Sequence, residues 1–89
     1  MKIDNTYKVR QVAGESLVLI QPRKGEEMTK VVALNETSVF LWDSLADRDF
    51  VLDDAVALLL EHYEVDKETA TRDVKRWVEL MRGAGIIVD

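Results

Sequence analysis

Met28-Thr29-Lys30-Val31-Val32-Ala33-Leu34-Asn35-Glu36-Thr37-Ser38-Val39-Phe40-Leu41-Trp42 is the stretch in which this chain changes character. Up to Leu34 it is rich in β-branched residues, which suit a pleated strand. Asn35 is a good helix N-cap, and Glu36 puts a negative charge at the positive end of the helix that follows. Val39, Trp42, Leu45 and Ala46 then recur at helical spacing. The sequence therefore predicts a strand over 28–34 that runs directly into a helix.

Upstream of this point the turn signals are dense. Gly14-Glu15 lies between Tyr7–Val12 and Ser16–Ile20. The run Gln21-Pro22-Arg23-Lys24-Gly25-Glu26-Glu27 separates Ser16–Ile20 from Met28–Leu34. Short β-rich segments divided by Gly and Pro predict a three-stranded antiparallel meander. The opening Met1–Arg10 has no apolar run and is not a signal peptide.

Downstream the pattern is helical. The segment Ala46-Asp47-Arg48-Asp49-Phe50 interrupts it, and a second stripe follows: Leu52, Val56, Leu59, Leu60 and Tyr63. Asp53 and Asp54 sit in its first turn, where the helix dipole favours them, although Val51 is a poor cap. Asp66 caps a third helix with Ala70, Val74, Trp77, Val78 and Met81 on one face, and Gly83 and Gly85 end it. Ile86-Ile87-Val88 reads as a short terminal strand packed on the core. The fold class is thus α+β: a three-stranded antiparallel sheet, three helices and a short C-terminal apolar strand. The tight connection at Glu64–Asp66 gives the helices a winged helix-turn-helix-like order.

Size and composition bound the function. A chain of 89 residues buries about two-thirds of its surface on folding, enough for one modest core. The expected organisation is a single domain over 1–89. With no Cys, disulfides and thiolate metal sites are excluded. The longest unbroken apolar run, Ala55–Leu60, is far too short to span a bilayer. A cytoplasmic protein with no membrane contact is expected. Residues 1–34 carry six basic and four acidic side chains, net +2, and residues 35–89 carry six and thirteen, net −7. That balance is a poor footing for nucleic-acid binding, which rests on neutralised phosphates.

Catalytic residues are not in evidence. The chain holds one His, His62, without a second His or Cys to complete a metal or nucleophile site. Asp53-Asp54 and Asp47/Asp49 read as a helix start and a loop. Trp42 and Trp77 sit mid-stripe and read as core anchors. Arg72 and Arg76 read as a solvated helix face. The expectation is no enzyme, no cofactor and no metal.

The residues also carry a family resemblance. Tyr7-Lys8-Val9-Arg10-Gln11-Val12-Ala13-Gly14-Glu15 resembles the opening strand of the PqqD-like proteins, named for pyrroloquinoline quinone (coenzyme PQQ) biosynthesis protein D. Ala33-Leu34-Asn35-Glu36-Thr37-Ser38-Val39-Phe40-Leu41-Trp42 resembles that family's Leu-Asn-Glu-Thr-Gly start of its first helix, with Ser38 in the place of Gly. Tyr63-Glu64-Val65-Asp66, then Ala70, Asp73-Val74 and Gly83-Ala84-Gly85-Ile86-Ile87, resembles its C-terminal part. The match runs in order over almost the whole chain.

The resemblance implies a peptide-binding adaptor. Such proteins recognise the leader segment of a ribosomally made precursor peptide and present it to a modifying enzyme, often a radical S-adenosylmethionine enzyme. The leader docks as an added strand on the third strand, beside the third helix. On this chain that implies a strand edge at Thr29, Lys30, Val31, Val32 and Ala33. For the helical wall, the flank Thr71, Lys75, Val78 and Arg82 mixes an apolar floor with basic heads suited to an acidic leader. Asp73 and Leu80 lie on the opposite flank, and the sequence does not decide between them. Two other readings stay open. One is a winged-helix DNA-binding regulator, against which the acidic helical half counts. The other is a degenerate family member with only a homodimer-forming role.

Overall fold

The structure is a computed structural model, and it describes residues 1–20, 25 and 30–89. The expected turn between the second and third meander strands, and Met28 and Thr29 with it, lie outside the described residues. The elements in chain order are β1 (Lys2–Ile3), β2 (Val9–Val12), β3 (Glu15–Ile20), β4 (Lys30–Leu34), α1 (Glu36–Leu45), α2 (Leu52–His62), α3 (Lys67–Gly83) and β5 (Ile87–Val88). This is the mixed α+β order that the sequence predicts.

β2, β3 and β4 form an antiparallel sheet with β3 in the middle. The β2–β3 hairpin closes through two residues, Ala13 and Gly14, with φ of 52° and 82°. Positive φ at both central residues is the type I′ turn, whose twist matches that of the flanking strands. Glycine tolerates this region; alanine adopts it at a cost of about 1–2 kcal/mol. Ala13→Asn, which gives the favoured Asn-Gly pair, should stabilise the fold by about 0.5–1 kcal/mol. A thermal melt should show the midpoint rising by roughly 2–6 °C.

One face of this sheet meets the helices. Val18, Ile20 and Leu34 are buried there, and Val9 and Val32 pack against the same cluster. Strand alternation puts Arg10, Leu17, Leu19, Val31 and Ala33 on the other face. α3 covers the core with the stripe read from sequence, Ala70, Val74, Trp77, Val78 and Met81. α1 buries Leu41, Trp42 and Leu45 and α2 buries Ala55, Val56 and Leu59; of the stripes expected there, Val39, Ala46, Leu52 and Tyr63 are half-buried against the cluster and Leu60 is 39% exposed. Both tryptophans are core residues. No helix among the described residues is long and apolar enough to cross a membrane.

The helix ends follow local chemistry. Asn35 Oδ1 accepts from the Ser38 N–H at 2.8 Å, and Asp66 Oδ1 accepts from the Thr69 N–H at 2.7 Å. The Thr69 hydroxyl and backbone N–H together hold the Asp66 carboxyl below the ordinary carboxylate range. Val51 starts α2 without an acceptor of its own. Asp54 compensates by accepting the Val51 N–H at 2.9 Å, while Arg48 reaches the same carboxylate at 3.3 Å. α3 closes in a Schellman motif: Ile86 N–H donates to Met81 at 2.9 Å, Gly85 N–H donates to Arg82 at 3.0 Å, and Gly85 sits at φ 79°.

The chain start departs from the sequence reading. Met1–Arg10 lacks an apolar run, yet Lys2–Ile3 forms a strand antiparallel to β5, with Ile3 opposite Ile87. Ile3, Ile86 and Ile87 are all buried. The Phe50 N–H donates to the Met1 carbonyl at 2.7 Å, and the Asp4 N–H to the Ile86 carbonyl at 2.7 Å. The first and last residues of the chain therefore close the core together.

Candidate functional site

β4 is an outer strand of its sheet, so half of its backbone groups lack a sheet partner. The hairpin turn and the register identify which half. In a two-residue hairpin the residues flanking the turn, Val12 and Glu15, exchange both backbone hydrogen bonds, and bonded and non-bonded pairs then alternate. Arg10–Leu17 is therefore a bonded pair, and Gln11–Ser16 and Val9–Val18 are not. On β3, Ser16, Val18 and Ile20 consequently turn their N–H and C=O groups to β4. Their partners there are Leu34, Val32 and Lys30. Val31 and Ala33 are left with both backbone groups directed away from the sheet.

The side chains fit an accessible edge. Val31 is 53% exposed, Lys30 and Ala33 are exposed, and Val32 is half-buried against the core. Thr29 lies outside the described residues. At its C-terminal end β4 passes through the Asn35 cap into α1, and two adjoining depressions open there. One, of about 340 Å³, runs from Asn35 and Ser38 to Asp73, Arg76, Trp77 and Leu80 of α3. The other, of about 1010 Å³, includes Ala33 and Leu34 of β4 and again Asn35, Ser38 and Leu80. Leu80, 59% exposed, stands between them. Trp77 lines the first depression, and its buried Nε1–H has no acceptor among the described residues.

The helix residues named from sequence lie elsewhere on α3. Thr71 and Lys75 line a shallow depression of about 700 Å³ formed by α3 side chains alone, and the Thr71 hydroxyl donates to the Lys67 carbonyl at 2.7 Å. Val78 is buried in the core. Arg82 pairs with Asp89. None of these four lines either depression at the end of β4. Leu80 does, and it carries a legible signal. It is a large apolar side chain off the core stripe of α3.

His62 is exposed and stacks on Phe40 at 4.2 Å between ring centroids. No group of three or more His, Asp or Glu among the described residues is placed to hold a metal ion. Among the described residues the one other carboxyl held below its ordinary range, Asp4, is held there by the Thr6 backbone N–H and then the Thr6 hydroxyl, an exposed local turn.

Comparison with known proteins adds two findings. The family model of coenzyme PQQ synthesis protein D (PqqD) matches residues 16–87. Among solved structures, the chain is similar to TbiB1 in complex with the TbiA(beta) leader peptide. The TM-score is 0.72 at 18% identity, and 100% of each chain is covered. No curated protein matches the chain by sequence.

Proposed function

We propose that this chain, which belongs to the PqqD family, is a peptide-binding adaptor that takes the leader segment of a ribosomally made precursor peptide as an added strand on β4. The outward backbone groups of Val31 and Ala33 carry this reading. An extended peptide satisfies them with main-chain hydrogen bonds, and neighbouring pockets select its side chains. That TbiB1, of similar fold, was solved with a leader peptide supports it. The adaptor presents the bound precursor to a modifying enzyme, of the radical S-adenosylmethionine type that the family resemblance implies. A DNA-binding role has no comparable support. The exposed face of α3 intersperses Lys67, Arg72, Lys75 and Arg76 with Glu68 and Glu79, a weak footing against phosphates.

For the helical wall we favour the Leu80 flank over Thr71, Lys75, Val78 and Arg82, because the depressions reaching β4 include Leu80. Fluorescence anisotropy with the labelled precursor peptide from the gene neighbourhood tests both choices. Leu80→Glu removes an apolar contact worth about 1.5–3 kcal/mol when fully buried, and should weaken binding about tenfold. Lys75→Glu should change it by less than about twofold, as an exposed charge does. The reverse ranking would assign the wall to the Lys75 flank. A precursor that fails to bind the wild-type chain contradicts the adaptor itself.

A further inference from the structure

We infer that the larger depression at the end of β4 receives a basic side chain, Lys or Arg, of the bound peptide. This rests on the strand-addition reading, because Ala33 and Leu34 line the depression. A peptide paired along Val31–Ala33 is delivered to it. Three aromatic rings line it. Phe40 and His62 stack with 15° between their planes, and Tyr63 meets them edge-on at 5.8 and 5.1 Å. The rim is acidic. Glu15 comes from the hairpin, and Glu36 and Asp43 lie two turns apart on one face of α1, with Val39 and Phe40 between them. No Lys or Arg lines the depression, and none of the three acids forms an ion pair among the described residues.

The acids and rings complement a cation, beside the apolar contact that Leu80 offers. Three like charges around one hollow repel each other, and a cation relieves that repulsion. Ring faces attract an ammonium or guanidinium through their quadrupole. The alkyl stem of Lys or Arg lies well on apolar surface while its head stays at the rim. An acidic or amide side chain gains none of these terms. The bound peptide is therefore expected to carry Lys or Arg just beyond the residues paired with β4.

The test uses random dodecapeptides displayed on phage and selected against the full chain, in parallel with a Glu36→Gln/Asp43→Asn double variant. Peptides selected on the wild type should be enriched in Lys or Arg at one position flanking a β-branched core. The enrichment should vanish on the double variant. In a synthetic copy of a selected peptide, replacing that basic residue by Gln should weaken wild-type binding about fivefold and leave binding to the double variant unchanged. Salt at about 0.5 M should shrink the difference. Asp43→Asn alone serves as the second variant if circular dichroism shows that the double variant has lost helix. Selected peptides that need the Val31 edge but show no basic preference, or keep it on the double variant, overturn the cation site and leave strand addition standing. Selected peptides that bind Val31→Pro as well as the wild type overturn strand addition. Failure to select any peptide overturns both.

Discussion

Val31→Pro is expected to abolish peptide binding while leaving the protein folded, and Val32→Pro, one residue on, to do the opposite kind of damage. The register makes them different experiments. Val31 directs its N–H away from the sheet, so proline removes a donor that only an added strand would use. Its side chain is 53% exposed, so little core packing is lost with it. One missing hydrogen bond and the obstructing ring should weaken the precursor peptide at least about tenfold. Val32 directs its N–H to Val18 on the central strand, and its side chain packs on the core. Proline there leaves a ladder acceptor without its donor, a loss of about 1–3 kcal/mol. The thermal midpoint should fall by roughly 10 °C. Circular dichroism melts beside anisotropy titrations separate the two outcomes. If Val31→Pro melts early, or Val32→Pro is the one that folds but cannot bind, the assigned parity of β4 is reversed.

Ile3→Ala should be strongly destabilising although it lies at the very start of the chain. Ile3 is 5% exposed and faces Ile87, itself 3% exposed, across the ribbon that joins the two ends of the chain. Removing its side chain leaves a hole that neighbouring backbone cannot readily close, at a cost of about 2–4 kcal/mol. A domain of this size has only about 4–13 kcal/mol in total, so urea denaturation should show a large drop in midpoint. Lys2→Ala, in the same strand but exposed, should stay within about 0.5 kcal/mol of wild type. Equal effects of the two would mean that the ribbon contributes nothing to the core.

The ribbon shows where reading the sequence stops. β1 has two residues, too few for any periodicity, and its partner is at the other end of the chain. Such pairing leaves no local trace. The helices and the β3–β4 sheet core were legible because their signals are local: Asn35 and Asp66 as caps, Gly85 as a stop, and apolar stripes at helical spacing. The poor cap at Val51 became intelligible only with Asp54 and Arg48 beside it. The edge parity of β4 depends on the hairpin turn two strands away. The sequence marks a turn near Gly14-Glu15, but the turn residues are Ala13 and Gly14. A shift of one residue exchanges inward and outward groups all along the sheet. The flank of α3 next to the strand was open for a different reason. A helix presents two flanks beside its core stripe, and tertiary packing alone selects one. Packing places Leu80 by the end of β4.

Amide hydrogen exchange of the chain with and without its precursor peptide tests strand addition most directly. In the free protein Val32 and Leu34 should exchange slowly, because their N–H groups pair with β3, while Val31 and Ala33 should exchange fast. Saturating peptide should slow Val31 and Ala33 specifically, by a factor that grows with peptide affinity. Binding that leaves the exchange of Val31 and Ala33 unchanged, and protects α2 or the Lys75 face of α3 instead, would contradict an added strand on β4.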